Sequence, residues 1–312
     1  MKTWLLEILV CPSCLPREIR LEPVVAEESK SEIIQGHLVC PGCGAQYPVR
    51  DGIAHVLPEP GHPDKIDPKY ETDSVVASYL WSHYADLLGD PEGSDAYNGW
   101  TGLMHPGEGW CLDIGSAVGR FTFETARKYD FAVGIDNSEA FIRTSRNLMA
   151  NGAKEFELPD EGALTVKKLL ELPGHWKMDG VEFLVADAMA LPFASGAFSA
   201  LASLNMVDKL PKPIEHLKEV NRVASKGRAQ FLLSDPFSWS PASADRADWL
   251  GGKNDGGFSG YGMDNITAWL KDENGRSGTP WNIETHGSVW WKIRTHRNHF
   301  ELIRSCYVKA RR

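Results

Sequence analysis

The chain has 312 residues, a formal net charge of −9 and a hydrophobic fraction of 42%. That length fits two domains, and the apolar content is enough for packed cores. The acidic balance argues against a nucleic-acid partner, which usually leaves a basic domain or stripe. No run approaches the roughly 20 apolar residues needed to cross a bilayer. The opening MKTWLLEILVCPSC has too short an apolar stretch for a signal peptide. A cytoplasmic protein with no membrane contact is expected.

The first elements are two cysteine knuckles, Cys11-Pro-Ser-Cys14 and Cys40-Pro-Gly-Cys43, with 25 residues between them. Each knuckle turns two thiolates toward one point, and four thiolates complete a tetrahedral shell for structural Zn²⁺. A closed shell leaves no position for water, so this zinc folds its segment and does no chemistry. A redox Cys-x-x-Cys would need a βαβ setting and no second pair. Cys111 and Cys306 are left as singletons, and reduced thiols fit a reducing compartment. The module reads as strand, knuckle, strand, acidic spacer, strand, knuckle, strand, with Gly52 in a turn. A Pro-rich, charged stretch from Leu57 marks a boundary. The expected division is a zinc ribbon over 1–60, a linker over 61–69 and a second domain over 70–312.

The second domain opens with a helix from Asp73 to Leu88, on the spacing of Val76, Leu80, Tyr84 and Leu87. A buried strand, Gly109–Gly115, runs into a helix from about Arg120 to Lys128. Phe131–Ile135 is a second strand, and Ser138 caps a helix ending near Ala150. Phe156–Val166 reads as an inserted hairpin about Pro159-Asp-Glu-Gly162. Val181–Val185, Ala197–Ser203 and Arg228–Ser234 are further strands, with a helix over Ile214–Val223 and an edge strand over Ser305–Ala310. Strands alternating with helices imply an α/β fold: a doubly wound, mostly parallel sheet, preceded here by a small β-rich ribbon.

The candidate binding loop is Leu112-Asp113-Ile-Gly115-Ser116-Ala117-Val-Gly119, where strand becomes helix. Small residues there let the backbone approach a ligand, and the helix start favours an anionic group. Gly-x-Gly-x-x-Gly is not met, because position 117 is Ala and position 120 is Arg. Asp136, with Asn137, ends the second strand, where a carboxylate accepts two hydrogen bonds from a ribose diol. Asp187-Ala188 follows the third. The pattern Asp-x-Gly-x-Ala-x-Gly, with these carboxylates in order, resembles class I S-adenosylmethionine methyltransferases. The resemblance implies that cofactor and places Asp187 and Ala188 at its adenine edge.

Further motifs recur in one order: Tyr70-Glu-Thr-Asp73; Tyr79-Leu-Trp-Ser-His83-Tyr84; Ala117 to Glu124; Gly134 to Ile142; Leu204-Asn205-Met-Val-Asp208-Lys-Leu210; Asp235-Pro-Phe-Ser-Trp239; and Trp249-Leu-Gly-Gly252. Over residues 70–312 they resemble the carboxy-terminal methyltransferase domain of ovothiol synthase, the mercaptohistidine imidazole N-methyltransferase. That family usually has Cys where this chain has Ser116. The ribbon is similar to the small activator subunit of tRNA, ribosomal RNA and release-factor methyltransferases, which covers an apolar face of its partner.

The resemblance implies methyl transfer to an imidazole nitrogen of a small histidine-derived thiol or selenol, giving an ovothiol-type product. Asn205 and Asp208 lie at the carboxyl end of the fourth strand, where open α/β sheets bind ligands. Asp208 is the candidate catalytic acceptor for an imidazole N–H, though a helix cap or a partnership with Lys209 suits it equally. Asn205 is the second catalytic candidate and, with Tyr84, is also expected beside the cofactor. Asp235 and Trp239 are candidates for the acceptor wall, and Arg294 and Arg297 for a substrate carboxylate. His83, His286 and His299 show no metal-like spacing. The rival readings are a methyltransferase of RNA or protein with a built-in activator, and a non-catalytic activator or interaction protein.

Overall fold

The computed structural model describes residues 1–58, 68–273, 275 and 277–312. Its first part holds four strands: β1 (Glu22–Ser29), β2 (Glu32–Val39), β3 (Gln46–Arg50) and β4 (Ile53–Val56). Each is antiparallel to the next. The strand expected before the first knuckle is not formed. Thr3–Glu7 is a 3-10 helix instead, with isolated bridges at Lys2, Leu9 and Val10. Its Leu5 is fully buried, so the apolar run packs as a turn of helix against the core rather than alternating across a strand. Most of the predicted linker, residues 61–67, lies outside the described residues.

The remaining elements follow the predicted alternation. They are α1 (Asp73–Tyr84), α2 (Ala96–Gly102), β5 (Trp110–Ile114), α3 (Arg120–Thr125), β6 (Phe131–Asp136), α4 (Glu139–Asn151), the hairpin β7 (Ala153–Pro159) and β8 (Thr165–Glu171), β9 (Val181–Ala186), β10 (Ala200–Leu204), α5 (Pro213–Val223), β11 (Gln230–Asp235), α6 (Gly262–Leu270), β12 (Asn282–His296) and β13 (His299–Arg311). Ser138 caps α4, its hydroxyl accepting from Phe141 N–H, and Gly152 ends that helix in the left-handed region.

All strands but β7 and β8 join one eleven-stranded sheet, in the order β1-β2-β3-β4-β9-β6-β5-β10-β11-β13-β12. β9, β6, β5, β10 and β11 are parallel, and β13 closes antiparallel on β11. The order reverses between β5 and β10, which opens a crevice at the carboxyl ends of those strands. The ribbon is not a separate body: β4 pairs in parallel with β9, His55 opposite Val185 and Val56 opposite Ala186. Its core is shared too, with Leu5, Leu9, Leu38, Tyr47 and Val56 in one cluster with Leu184, Leu191 and Phe193.

Alternate residues of β5 face different layers. Leu112 and Ile114 join the cluster that includes the ribbon, while Cys111 joins the one under α1 to α4. The last hairpin overshoots the sheet. Cys306 is opposite Asp235, the last residue of β11, so residues 299–305 and their partners in β12 extend past the strand ends. That arm lies along α1, where Ser82 Oγ donates to Lys292 O at 2.5 Å.

Candidate active site and metal cluster

In the ribbon, the Sγ atoms of Cys11, Cys14, Cys40 and Cys43 all lie within 4.8 Å of one another. Cys11 to Cys43 and Cys14 to Cys40 are each 3.7 Å. Four thiolates about 2.3 Å from a zinc ion stand about 3.8 Å apart along a tetrahedral edge, so the donor set fits that metal. The Tyr47 hydroxyl sits 3.1 Å from Cys11 Sγ and ties the cluster to the buried face of β3.

In the crevice, Gly115 and Ser116 N–H both donate to Ile135 O, at 2.9 and 2.8 Å, which fastens the loop to β6. Gly115, Ala117 and Gly119 all take positive φ, and a Cβ on Gly115 would lie 2.0 Å from Met206 Sδ. Met206, just after β10, therefore sits on the glycine loop. Nothing in its sequence context signalled that role. Ser116 Oγ is buried without a hydrogen-bond partner, pointing to a missing ligand at this loop.

Asp136 reaches the same loop. Its Oδ2 accepts from Ala117 N–H at 3.0 Å and its Oδ1 from Ser138 N–H at 2.9 Å. The half-buried carboxylate has lone pairs left for a diol. Burial pushes its pKa up to about 6, against the amides of Ser138 and Ala117, which lower it. Asp113 lies behind the loop. Thr122 Oγ1 donates to it at 2.7 Å, and burial pushes it up to about 7 despite that bond. Asp187 is half-buried and accepts from Met189 N–H at 2.8 Å, next to buried Ala188. Asn137 is exposed at the rim. Asn205 adopts φ 57°, and its Oδ1 accepts from Ser305 Oγ of β13 at 2.5 Å. Thus Gly115, Asp136, Asp187 and Asn205 line the ends of four adjacent strands, an arrangement with the donors and acceptors an adenosyl ligand needs.

The remaining expected residues take other positions. Tyr84 is fully buried, and its hydroxyl donates to Val118 O at 2.7 Å, so it supports the loop from behind. Asp208 is 1% exposed. Its Oδ2 accepts from Ser238 N–H at 2.7 Å, and Lys209 Nζ lies 3.1 Å from its Oδ1. Asp235 Oδ1 accepts from Phe237 N–H at 2.7 Å, and burial with the Asp208 charge pushes Asp235 up to about 8. These two carboxyls brace the Asp235–Trp239 turn. Trp239 stacks on Trp249, ring centroids 6.4 Å apart, and a Cβ on Gly252 would lie 2.9 Å from Trp239 Cδ1. Arg294 is buried with Nη2 3.6 Å from Asp160, and Arg297 is 67% exposed beside the same carboxylate. Both arginines engage the β7–β8 hairpin.

The Asp136 pKa gives a pH expectation. A diol needs the ionised form, so the binding-competent fraction falls as pH drops through about 6. S-adenosylhomocysteine should bind roughly tenfold more weakly at pH 5 than at pH 7.5. Calorimetry across that range checks it. Asp136→Asn should flatten the profile, whereas a slope that survives this change assigns the effect to Asp113 instead.

Residues 112–229 match the family described as Methyltransferase domain, and residues 2–52 match the Trm112p-like protein family. A curated relative, ajmaline N-methyltransferase of Rauvolfia serpentina, is 26% identical over 124 residues, 39% of this chain. The match spans about a third of that relative, 35% of its length. A solved S-adenosylmethionine-dependent methyltransferase of Methanosarcina mazei is 18% identical, covering 69% of this chain and 95% of its own at a TM-score of 0.44. One chain of a solved complex between the Haloferax volcanii Trm112 methyltransferase activator and a methyltransferase is 13% identical, covering 80% of this chain and 96% of its own at a TM-score of 0.43. At such scores the assignment rests on the family matches and the strand order. The chain carries a Trm112p-like zinc-ribbon segment joined in one sheet to a class I, S-adenosylmethionine-type methyltransferase domain.

Proposed function

We propose that the protein is an S-adenosylmethionine-dependent N-methyltransferase acting on an imidazole nitrogen of a small histidine-derived thiol or selenol, with its ribbon as an activator in cis. The observation that carries the methyltransferase reading is the line of Asp136, Gly115 and Asn205 across the strand reversal. S-adenosylmethionine supplies a methyl group already electrophilic on its sulfonium, so the protein must align the nucleophile and dispose of a proton. The methyl would pass to the ring nitrogen's lone pair with the C–S pair left on sulfur, and the ring would release its N–H proton to solvent. A neutral imidazole nitrogen is nucleophilic near neutral pH. Asn205 borders the acceptor, while Asp208 and Asp235 act through the turn they brace and the Trp239 it carries. The small-acceptor reading draws on the ordered motif resemblance, the acidic charge and the name of the curated N-methyltransferase.

The second reading, methyl transfer to RNA or protein, is favoured by the Trm112p-like match. Labelled cofactor offered with histidine, mercaptohistidine, selenohistidine, transfer RNA and ribosomal extract separates the two. Label on mercapto- or selenohistidine is expected; label only on macromolecules promotes the second reading. Asp136→Ala should cost about 1.5–3 kcal/mol of S-adenosylhomocysteine binding. Unchanged affinity by calorimetry removes Asp136 from the cofactor site. A wild-type protein that does not bind S-adenosylhomocysteine favours a non-catalytic module.

A further inference from the structure

Two buried polar atoms near the crevice have no hydrogen-bond partner: His83 Nδ1 on α1 and Trp291 Nε1 on β12. Their side chains are 4% and 5% exposed. Tyr79 lies between them, its ring centroid 5.7 Å from His83 and 6.3 Å from Trp291. The Tyr97 hydroxyl is 2.6 Å from His83 Nε2, and the two rings are 4.2 Å apart. These aromatics come from three elements, so they form one cluster and not a stripe on one helix.

Chains of contacts link the cluster to both ends of the crevice. On the Asp136 side, Tyr79 is 4.7 Å from Phe141, in the first turn of the helix capped by Ser138. Behind the loop, Tyr84, adjacent to His83, donates to Val118 O. On the Asn205 side, Tyr97 is 5.2 Å from Trp100, whose Nε1 donates to Ser234 Oγ at 3.0 Å. The backbone carbonyl of Ser234 in turn accepts from Asn205 N–H at 2.6 Å.

The His83 ring is neutral, because burial and then the Arg120 charge push its pKa well below the usual histidine value. Its Nε2 is engaged by Tyr97, so Nδ1 is either a bare acceptor or a single N–H donor, set by which way the shared proton lies. Buried groups of this kind are paired in folded proteins, so both atoms call for a partner that the chain does not provide.

We infer that Tyr79, His83, Tyr97 and Trp291 form the acceptor site, and that it takes a small, flat nitrogen heteroaromatic ring with His83 Nδ1 bonded to one ring nitrogen. This deepens, and rests on, the methyltransferase reading. The aromatic walls offer stacking faces for a planar ring. The tautomeric freedom of His83 suits a ring that carries both an N–H and a bare nitrogen: His83 Nδ1 holds one and leaves the other toward the cofactor crevice. The depth of burial admits a single small ring at a time, and the methyl-transfer test separates a free ring from one projecting from a larger molecule.

Wild type, Trp291→Phe and His83→Asn are compared in two measurements: S-adenosylhomocysteine calorimetry, then tryptophan fluorescence and methyl transfer with mercaptohistidine and selenohistidine on the cofactor-bound protein. Trp291→Phe removes the N–H and keeps an aromatic face, though a smaller one. It should raise the acceptor KM at least tenfold while S-adenosylhomocysteine affinity stays within twofold. His83→Asn should lower transfer at least a hundredfold, again with cofactor affinity kept. Parallel loss of cofactor affinity in both variants assigns these residues to the fold and overturns the inference. So does unchanged KM and kcat in both, or saturable binding of neither imidazole by the wild type. Wild type that fails to bind S-adenosylhomocysteine removes the methyltransferase reading itself, a result separable from all of these.

Discussion

Stripping the metal from Cys11, Cys14, Cys40 and Cys43 should unfold the ribbon and weaken the whole sheet. Structural zinc sites supply folding energy outright, on the order of 10–16 kcal/mol in small peptides. Here the effect should spread beyond the ribbon, because Leu5, Leu9, Tyr47 and Val56 share a core with Leu184, Leu191 and Phe193. Losing that cover would leave β9 as a bare edge strand and open apolar surface beside it. Chelation, or Cys40→Ser with Cys43→Ser, should therefore lower the melting temperature of the full chain, raise binding of a hydrophobic dye and speed amide exchange in β9. One zinc per chain is expected in freshly purified protein, and metal analysis gives the count directly. A metal-free protein that melts with wild type, with β9 still protected, would show that the cysteine cluster contributes nothing to the methyltransferase domain.

Most of the fold was legible because it is written locally. Buried parallel strands such as Val181–Ala186 are apolar at nearly every position, and the carboxylates Asp136 and Asp187 punctuate strand ends. The division at residue 60 was less so. A linker composition marks where the chain turns, but the pairing of β4 with β9 joins residues 130 positions apart, as His55 opposite Val185 shows. β12 escaped because Asn282–Ser288 is largely exposed and carries no two-residue alternation. α2 holds two glycines within seven residues, and α6 begins on glycine, so neither shows a clean helical period.

The site divides the same way. The proposed cofactor loop is contiguous, so its spacing stands out in the sequence. The cluster of Tyr79, His83, Tyr97 and Trp291 comes from α1, α2 and β12, and only the fold brings β12 to the two helices. Arg120 illustrates the difference. It stood out as the residue breaking a glycine pattern, yet it is 2% exposed, donating bidentately to Asp86 at 2.7 and 2.9 Å and to Glu124 at 2.7 Å. A charge buried between α1 and α3 holds the helices over the crevice. The residue alone could not reveal which partners it would find.

The second large effect is expected where the ribbon meets the methyltransferase domain. Glu182 of β9 is fully buried and ion-paired with Arg146 of α4. Arg146 also reaches Glu32 of β2, Nη2 to Oε2 at 3.0 Å. Gly52, at φ 76° in the turn between β3 and β4, makes room for it, because a Cβ there would lie 2.7 Å from Arg146 Nη2. One guanidinium thus ties β2 of the ribbon to the central sheet, with the β3–β4 turn packed close against it. Burial pushes the Glu182 carboxyl up, but Arg146, the charged chain start and the amides of Lys2 and Phe183 outweigh it and hold the pKa below the usual glutamate range. Stability from such a group is present above the unfolded-state value, about 4.3, and is lost as pH falls through the folded one. Arg146→Met removes the main partner and leaves a buried charge, a change that costs about 3–5 kcal/mol. In that variant burial should dominate, so the Glu182 pKa rises above its unfolded value. The penalty then grows as pH rises, and the deficit in melting temperature should be larger at pH 8 than at pH 4.5. Adding Glu182→Gln to Arg146→Met should recover much of the loss at pH 8, since a neutral amide no longer demands a counter-charge. Equal deficits at both pH values, with no recovery in the double variant, would mean that Arg146 holds the ribbon by packing and not by charge.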